Sequence, residues 1–166
     1  MTNQLETFDA VPETMAGLQG DGLFLMTGET GNPMTIGWGS VGVIWGRQVF
    51  TVLVRPSRHS FTLLEALPEF TICVPTTDLR KALAVCGSKS GRDLNKMEAC
   101  GFTSGRSEHV AVPFITECGI HYECRVLHKT SVINADLDPS IAAGAYRDGD
   151  LHRIYHGEIL GVYKST

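Results

Sequence analysis

NPMTIGWGSVGVIWGRQVFTVLVRPSRHSF, residues 32–61, is the stretch whose reading decides the fold. Two β-prone runs, Met34 to Trp45 and Gln48 to Val54, flank a short Gly46-Arg47 turn. In the first run Gly37, Gly39 and Gly42 are interleaved with Ile36, Trp38, Val41 and Val43. Glycine weakens a strand, so this density predicts a bulge or a backbone that something approaches closely. The second run is almost continuously apolar from Val49 to Val54 and reads as a strand in a barrel or sandwich core. It leads into Arg55-Pro56-Ser57-Arg58-His59-Ser60, with Phe61 to Leu67 following as a short amphipathic helix. Two guanidiniums, an imidazole and two hydroxyls at a helix N-terminus suit a phosphate, because unpaired N–H groups and the helix dipole add to the side-chain donors. The same six residues also fit a solvated turn whose arginines touch only water. The cluster alone does not choose.

Outward from this stretch, strands dominate. Leu23 to Thr27, Glu69 to Val74, Ile120 to Ile133 and Ile154 to Tyr163 read as strands. Within the third, Tyr122, Cys124 and Val126 alternate with Glu123 and Arg125, which predicts one wet face. Short helices are expected over Glu13–Gln19, over Asp78–Val85 with Thr77 as N-cap, and over Leu94–Cys100 closed by Gly101. Between the last two lies a polar loop, Cys86-Gly87-Ser88-Lys89-Ser90-Gly91-Arg92-Asp93. No βαβ alternation occurs, and no G-x-G-x-x-G follows a strand. The pattern predicts a mainly antiparallel β-barrel with a few helices outside it, and disfavours a Rossmann fold.

The length of 166 residues fits one domain, 1–166, with a sizeable core. A net charge of -4 and a pI near 5.8 argue against a general nucleic-acid binder. No apolar run reaches the length of a membrane span, and the first residues lack a basic region followed by an apolar core, so a cytoplasmic protein is expected. Five cysteines without paired spacing argue against a disulfide framework or a zinc ribbon; all five are expected as buried free thiols. Cys118 and Cys124, an even number apart, are expected to share a strand face. His121, His128, His152 and His156 form no metal-ligand pattern and read as satisfied surface or core groups. No G-x-S-x-G elbow supports a nucleophilic serine.

Asn32 to Ser40, followed by Arg55 to Ser60, resembles the flavin reductase-like, FMN-binding split-barrel family, its small flavoredoxin-type members in particular. Glu69 to Pro75 is similar to the family's next core strand, Cys86 to Asp93 with Lys96 to its Ser/Gly loop and lysine, and Val112 to Cys118 and Tyr155 to Gly161 to later strands. Order and spacing together carry the resemblance.

The resemblance implies a six-stranded antiparallel split β-barrel, a homodimer, and non-covalent FMN in a groove at or near the subunit interface. It implies flavin contacts from Asn32, Thr35 and Ser40, through side chain or backbone; turn propensity for Asn32 and strand propensity for Thr35 are the structural alternatives, over which the resemblance favours binding, while Ser40 stays evenly balanced. Met34 and Trp38 pack against the ring or shape its pocket; Trp38 also reads as a core aromatic. Arg55, Arg58, His59 and Ser60 are expected to form the phosphate site, with Ser57 serving instead as N-cap of the following helix. Ser60 stands where family members often carry threonine. Ser88, Ser90 and Lys96 complete the set, Lys96 standing near the flavin's pyrimidine edge or else on a solvated helix face. Tyr163 is expected to stack on or bond to the cofactor. Since the flavin carries the chemistry, no catalytic side chain is required. The implied activity takes electrons from NAD(P)H through FMN to free flavin, a ferric chelate or another acceptor. The alternatives are a relay between redox protein partners without direct NAD(P)H oxidation, and a non-enzymatic flavin-binding module.

Overall fold

The structure, a computed structural model, describes residues 2–165. After β1 (Thr2–Gln4) and a 3-10 turn come α1 (Val11–Gln19), β2 (Leu23–Thr27), β3 (Asn32–Ile36), β4 (Gly39–Ile44) and β5 (Arg47–Val54). Then follow α2 (His59–Ala66), β6 (Glu69–Val74), α3 (Arg80–Ser88) and α4 (Lys96–Ala99). The short β7 (Ser104–Gly105) and β8 (Phe114–Ile115) pair with each other, and β9 (Ile120–Ser131), α5 (Pro139–Ala145) and β10 (Arg153–Ser165) close the chain.

The main sheet is antiparallel with the order β3-β2-β6-β9-β10-β5-β4, and β1 adds to β10. Its edges, β3 and β4, are consecutive in sequence. Three Cα steps join Ile36 to Gly39, at most about 11 Å, so the two edges must stand side by side. The sheet therefore curls into a barrel whose seam is bridged by chain rather than by a ladder. That is a split barrel. The main sheet has eight strands where the resemblance implied six; β1 is one addition, and the division of the first run into β3 and β4 is another.

That division corrects the reading of Met34 to Trp45 as one strand. Gly37 and Trp38 interrupt the pairing, which moves from β2 to β5 across them. The turn after β4 is Trp45-Gly46 rather than Gly46-Arg47. Both residues have positive φ, 54° and 69°, as a two-residue hairpin turn of matching twist requires.

Leu23, Leu25, Phe50, Val52, Phe70, Ile72, Tyr122 and Tyr155 fill the barrel. Each large side chain fully buried there contributes roughly 1.5–3 kcal/mol. The alternate residues Phe24, Met26 and Cys73 face outward into a second cluster with Leu83, Cys86, Met97, Phe114 and Cys118. Thus β2 and β6 are buried on both faces, which explains their continuous apolar sequence. This arrangement puts Cys118 and Cys124 in different clusters, contrary to the shared face expected of them. Nor does β9 have a wet face at its start. Glu123 is fully buried, accepting from the backbone N–H groups of Glu108 and His109 and facing His121 at 3.4 Å.

Helix boundaries differ locally. The N-cap of α3 is Leu79, not Thr77, and Asp78 instead accepts from the Arg80 N–H. Helix α4 begins later than expected because the Asn95 side chain caps it, accepting from the Glu98 N–H.

Candidate functional site

Strand β3 is an edge strand, and its outer side is lined by helices rather than by another strand. Lys96 Nζ donates to the carbonyl of Pro33 at 3.1 Å, which shows that this carbonyl points away from β2. Strand alternation then directs the backbone groups of Thr35 from the same open edge. Proline is tolerated at position 33 for the same reason: its ring replaces no ladder donor that an edge strand needs.

Along this edge runs a groove of two chambers that share Met34 and Arg58. One, of about 180 Å³, is lined by the backbone stretch Met34 to Trp38 with Leu53, Arg55, Gly87 and His152. The other, of about 150 Å³, lies between Asn32 and the start of α2 on one side and Cys86 to Arg92 on the other, with Lys96 beneath. Two glycines let the walls approach. A Cβ on Gly91 would stand 1.9 Å from Asn32 Oδ1 and 2.9 Å from His59 Cδ2, and one on Gly87 would stand 3.3 Å from Thr35 Cβ.

The charge pattern is one-sided. Arg55, Arg58, Lys89, Arg92 and Lys96 line the groove, five of the chain's 14 Lys and Arg, and among the described residues no Asp or Glu lines either chamber. In a chain of net charge -4 this is a local concentration of cations. Lys96 is buried, not on a solvated face, and among the described residues its ammonium meets only the carbonyls of Pro33 and Cys86. Burial lowers its pKa from the usual lysine value, and Arg58 adds to the effect. His59 has a buried Nδ1 without a hydrogen-bond partner, and burial, Arg92 and Lys96 hold its imidazole toward the neutral form. The N-cap residue Arg58 supplies no side-chain cap, so the first N–H groups of α2 keep their donor capacity. Ser57 does not cap it either, because its hydroxyl donates to Asp150.

Most of the sequence-predicted site residues meet here. Asn32, Met34, Arg58, His59, Ser60, Ser88, Ser90 and Lys96 line the cationic chamber, with Asn32 Nδ2 donating to Ser60 Oγ at 3.1 Å. Thr35, Trp38 and Arg55 line the other. The Thr35 hydroxyl donates to the Leu83 carbonyl at 2.6 Å and pins α3 to β3, which leaves the backbone as its free polar surface. Arg55 donates to the carbonyls of Ala145, Gly149 and Asp150 and sits over the Tyr146 ring at 5.2 Å, so it braces the α5–β10 turn. Ser40 is exposed on β4 opposite Thr51, outside both chambers. Tyr163 lies elsewhere, bonded to His109 and Glu108 and stacked on His121.

Sequence reasoning missed Lys89 and Arg92, whose placement needs the Gly91 close approach, and His152. Arg92 Nη1 donates to the Ser57 carbonyl at 3.0 Å and links the two walls. His152 is buried beneath Trp38, ring centroids 5.2 Å apart, with Nδ1 paired to the Tyr146 hydroxyl at 2.7 Å. Burial, reinforced by Arg55, pulls its pKa down to about 4 and keeps it neutral at pH 7. Only the fold brings residue 152 to residue 38.

Compared with known proteins, residues 21–166 match the family described as the flavin reductase like domain. An uncharacterised protein of Archaeoglobus fulgidus is 34% identical over 81% of this chain and 66% of its own length, so the chain spans just under two thirds of that relative. The flavoredoxin of Methanosarcina acetivorans has a similar fold, with TM-score 0.68 and 22% identity over 87% of this chain and 68% of its own. A split-barrel-domain protein of Shewanella frigidimarina aligns at TM-score 0.70 and 17% identity over 97% and 75% of the two chains.

Proposed function

The chain belongs to the flavin reductase-like domain family, and from that footing we propose that it binds FMN non-covalently in the β3 groove and passes electrons from NAD(P)H to free flavin, a ferric chelate or another acceptor. The observation that carries this reading is the pairing of a chamber rich in cations and free of carboxylates with a second chamber walled mainly by the Met34–Trp38 backbone and by the Trp38 and His152 rings.

The donor set fits an FMN phosphate. Arg58 and Arg92 bring guanidiniums, the start of α2 brings backbone N–H groups, and Ser60, Ser90 and Asn32 bring neutral polar groups. Lys96, bonded to two carbonyls, gains a counter-charge when an anion arrives. In the other chamber the Met34–Gly37 backbone offers groups to a planar heterocycle, and Trp38 and His152 offer faces and edges. When bound, FMN supplies the redox chemistry itself. The residues orient it, keep water from one face and fix charge around it. The functional unit in this reading is a homodimer, because Trp38, 51% exposed at the rim, presents apolar surface for a second copy to cover.

The test is an absorbance spectrum after incubation with FMN and desalting, followed by anaerobic NADH and then NADPH. Retained flavin that bleaches with a nucleotide supports the reductase and names its donor. Flavin bleached only by dithionite or a reduced redox protein favours the relay. No retained flavin overturns the reading.

A further inference from the structure

The groove's cationic wall is also the segment between two cysteines. Cys86, in the last turn of α3, and Cys100, at the C-terminal end of α4, are thiols with sulfurs 3.9 Å apart. Residues 87–99 between them include Ser88, Lys89, Ser90, Gly91, Arg92 and Lys96, all lining the cationic chamber. The two sulfurs differ in access. Cys86 is buried and itself lines the chamber, whereas Cys100 is partly exposed in a cleft between α3 and α4. A cystine needs sulfurs about 2 Å apart, so closure asks for a small inward movement of the four-residue α4 toward α3.

We propose that Cys86 and Cys100 form a thiol–disulfide pair, oxidised by low-molecular-weight disulfides, whose closure ties down residues 87–99 and tightens FMN in the groove. The part concerning FMN rests on the function proposed above; the disulfide does not. The Cys100 thiolate attacks one sulfur of the small disulfide, forming a mixed disulfide and releasing one thiolate. Cys86 then loses its proton to solvent and attacks the Cys100 sulfur, forming the cystine and releasing the second thiolate. Two protein thiols and one small disulfide become one cystine and two small thiols, and an excess of dithiol reverses the exchange. The Cys86 thiol is pushed up to about 12, first by burial and then by Cys100, so the second step is the slow one and quickens as pH rises. Tying both ends of the segment removes conformations that binding would otherwise have to restrict, which is why affinity rises.

The molecule carries its own control. Cys73 and Cys118 stand in one buried cluster, but neither reaches solvent, so both are shut off from an oxidant.

The experiment treats the full chain with oxidised glutathione across pH 7–9, follows intact mass, maps linkages by peptide analysis, and titrates reduced and oxidised forms with FMN. The expected result is a glutathione adduct on Cys100 that converts, faster at higher pH, into a Cys86–Cys100 linkage. FMN affinity of the oxidised form rises about threefold or more, while Cys100→Ser forms no linkage and binds FMN as the reduced protein does. A linkage elsewhere, a glutathione adduct that never resolves, or a cystine that leaves FMN affinity unchanged would overturn the proposal. Should the reduced protein fail to bind FMN, the function reading falls; amide exchange then decides the switch, which requires slower exchange across 87–99 after oxidation.

Discussion

The two ends of the groove are built from different materials. The cationic end is made of side chains from three separate segments, Asn32, the start of α2 and the 86–92 loop, with Lys96 below. The other end is largely one stretch of backbone, Met34 to Trp38, roofed by aromatic rings. Charge-assisted donors discriminate by ligand charge and act on one anion together only when the segments carrying them are held together. Backbone and rings discriminate by shape. The contrast teaches that affinity for an anion and orientation of a planar group can be altered separately.

The largest effect is expected at Lys96. Lys96→Met leaves the carbonyls of Pro33 and Cys86 without their donor and removes a buried charge from the anion end, so FMN binding should weaken about 100-fold. Fluorescence titration measures it, and riboflavin, lacking the phosphate, should lose much less. Next comes pH. The His152 pKa is about 4 in the folded chain against a usual 6.5, so the unfolded chain holds a proton that the folded one lacks between those values. Stability therefore falls as pH drops from 6.5 toward 4, by up to about 3 kcal/mol from this group. Urea melts at pH 7 and pH 4.5 should show this fall, and His152→Gln should flatten it.

Arg55 and Arg58 sharpen the contrast, because they look alike in sequence. Arg55→Gln breaks bonds to three carbonyls and should cost stability of about 1–3 kcal/mol, with little change in FMN affinity beyond that. Arg58→Gln should leave the melt unchanged and weaken FMN about 10-fold. Paired thermal melts and titrations check both. The smallest effect belongs to Trp38→Ala, which should weaken FMN and riboflavin equally, by about 10-fold or less.

Much of this molecule was legible in its sequence. The strands Leu23–Thr27 and Glu69–Val74 carry their β-prone, apolar character in contiguous residues, and they were placed to the residue. The Arg/His/Ser cluster was legible as a helix N-terminus because its cations, hydroxyls and the first helical residues are contiguous in sequence. What failed was whatever depends on distant partners. Glycine density in the first run signalled an irregularity, but not that the chain would leave one sheet edge and start the other. Glu123 looked solvent-facing by alternation, yet two backbone donors from the 108–109 loop allow its burial. Ser57 looked like a cap until Asp150 was seen to take its hydroxyl. His152 reads as an isolated histidine until the fold sets Trp38 over it.

The central claim is that one groove holds a phosphate at its cationic end and a flavin ring at the other. The most direct measurement is a side-by-side titration of the flavin-free protein with FMN and with riboflavin at low and moderate salt. The account predicts that FMN binds on the order of 100-fold more tightly and that the difference shrinks as salt rises. Equal affinities at every salt concentration would contradict it.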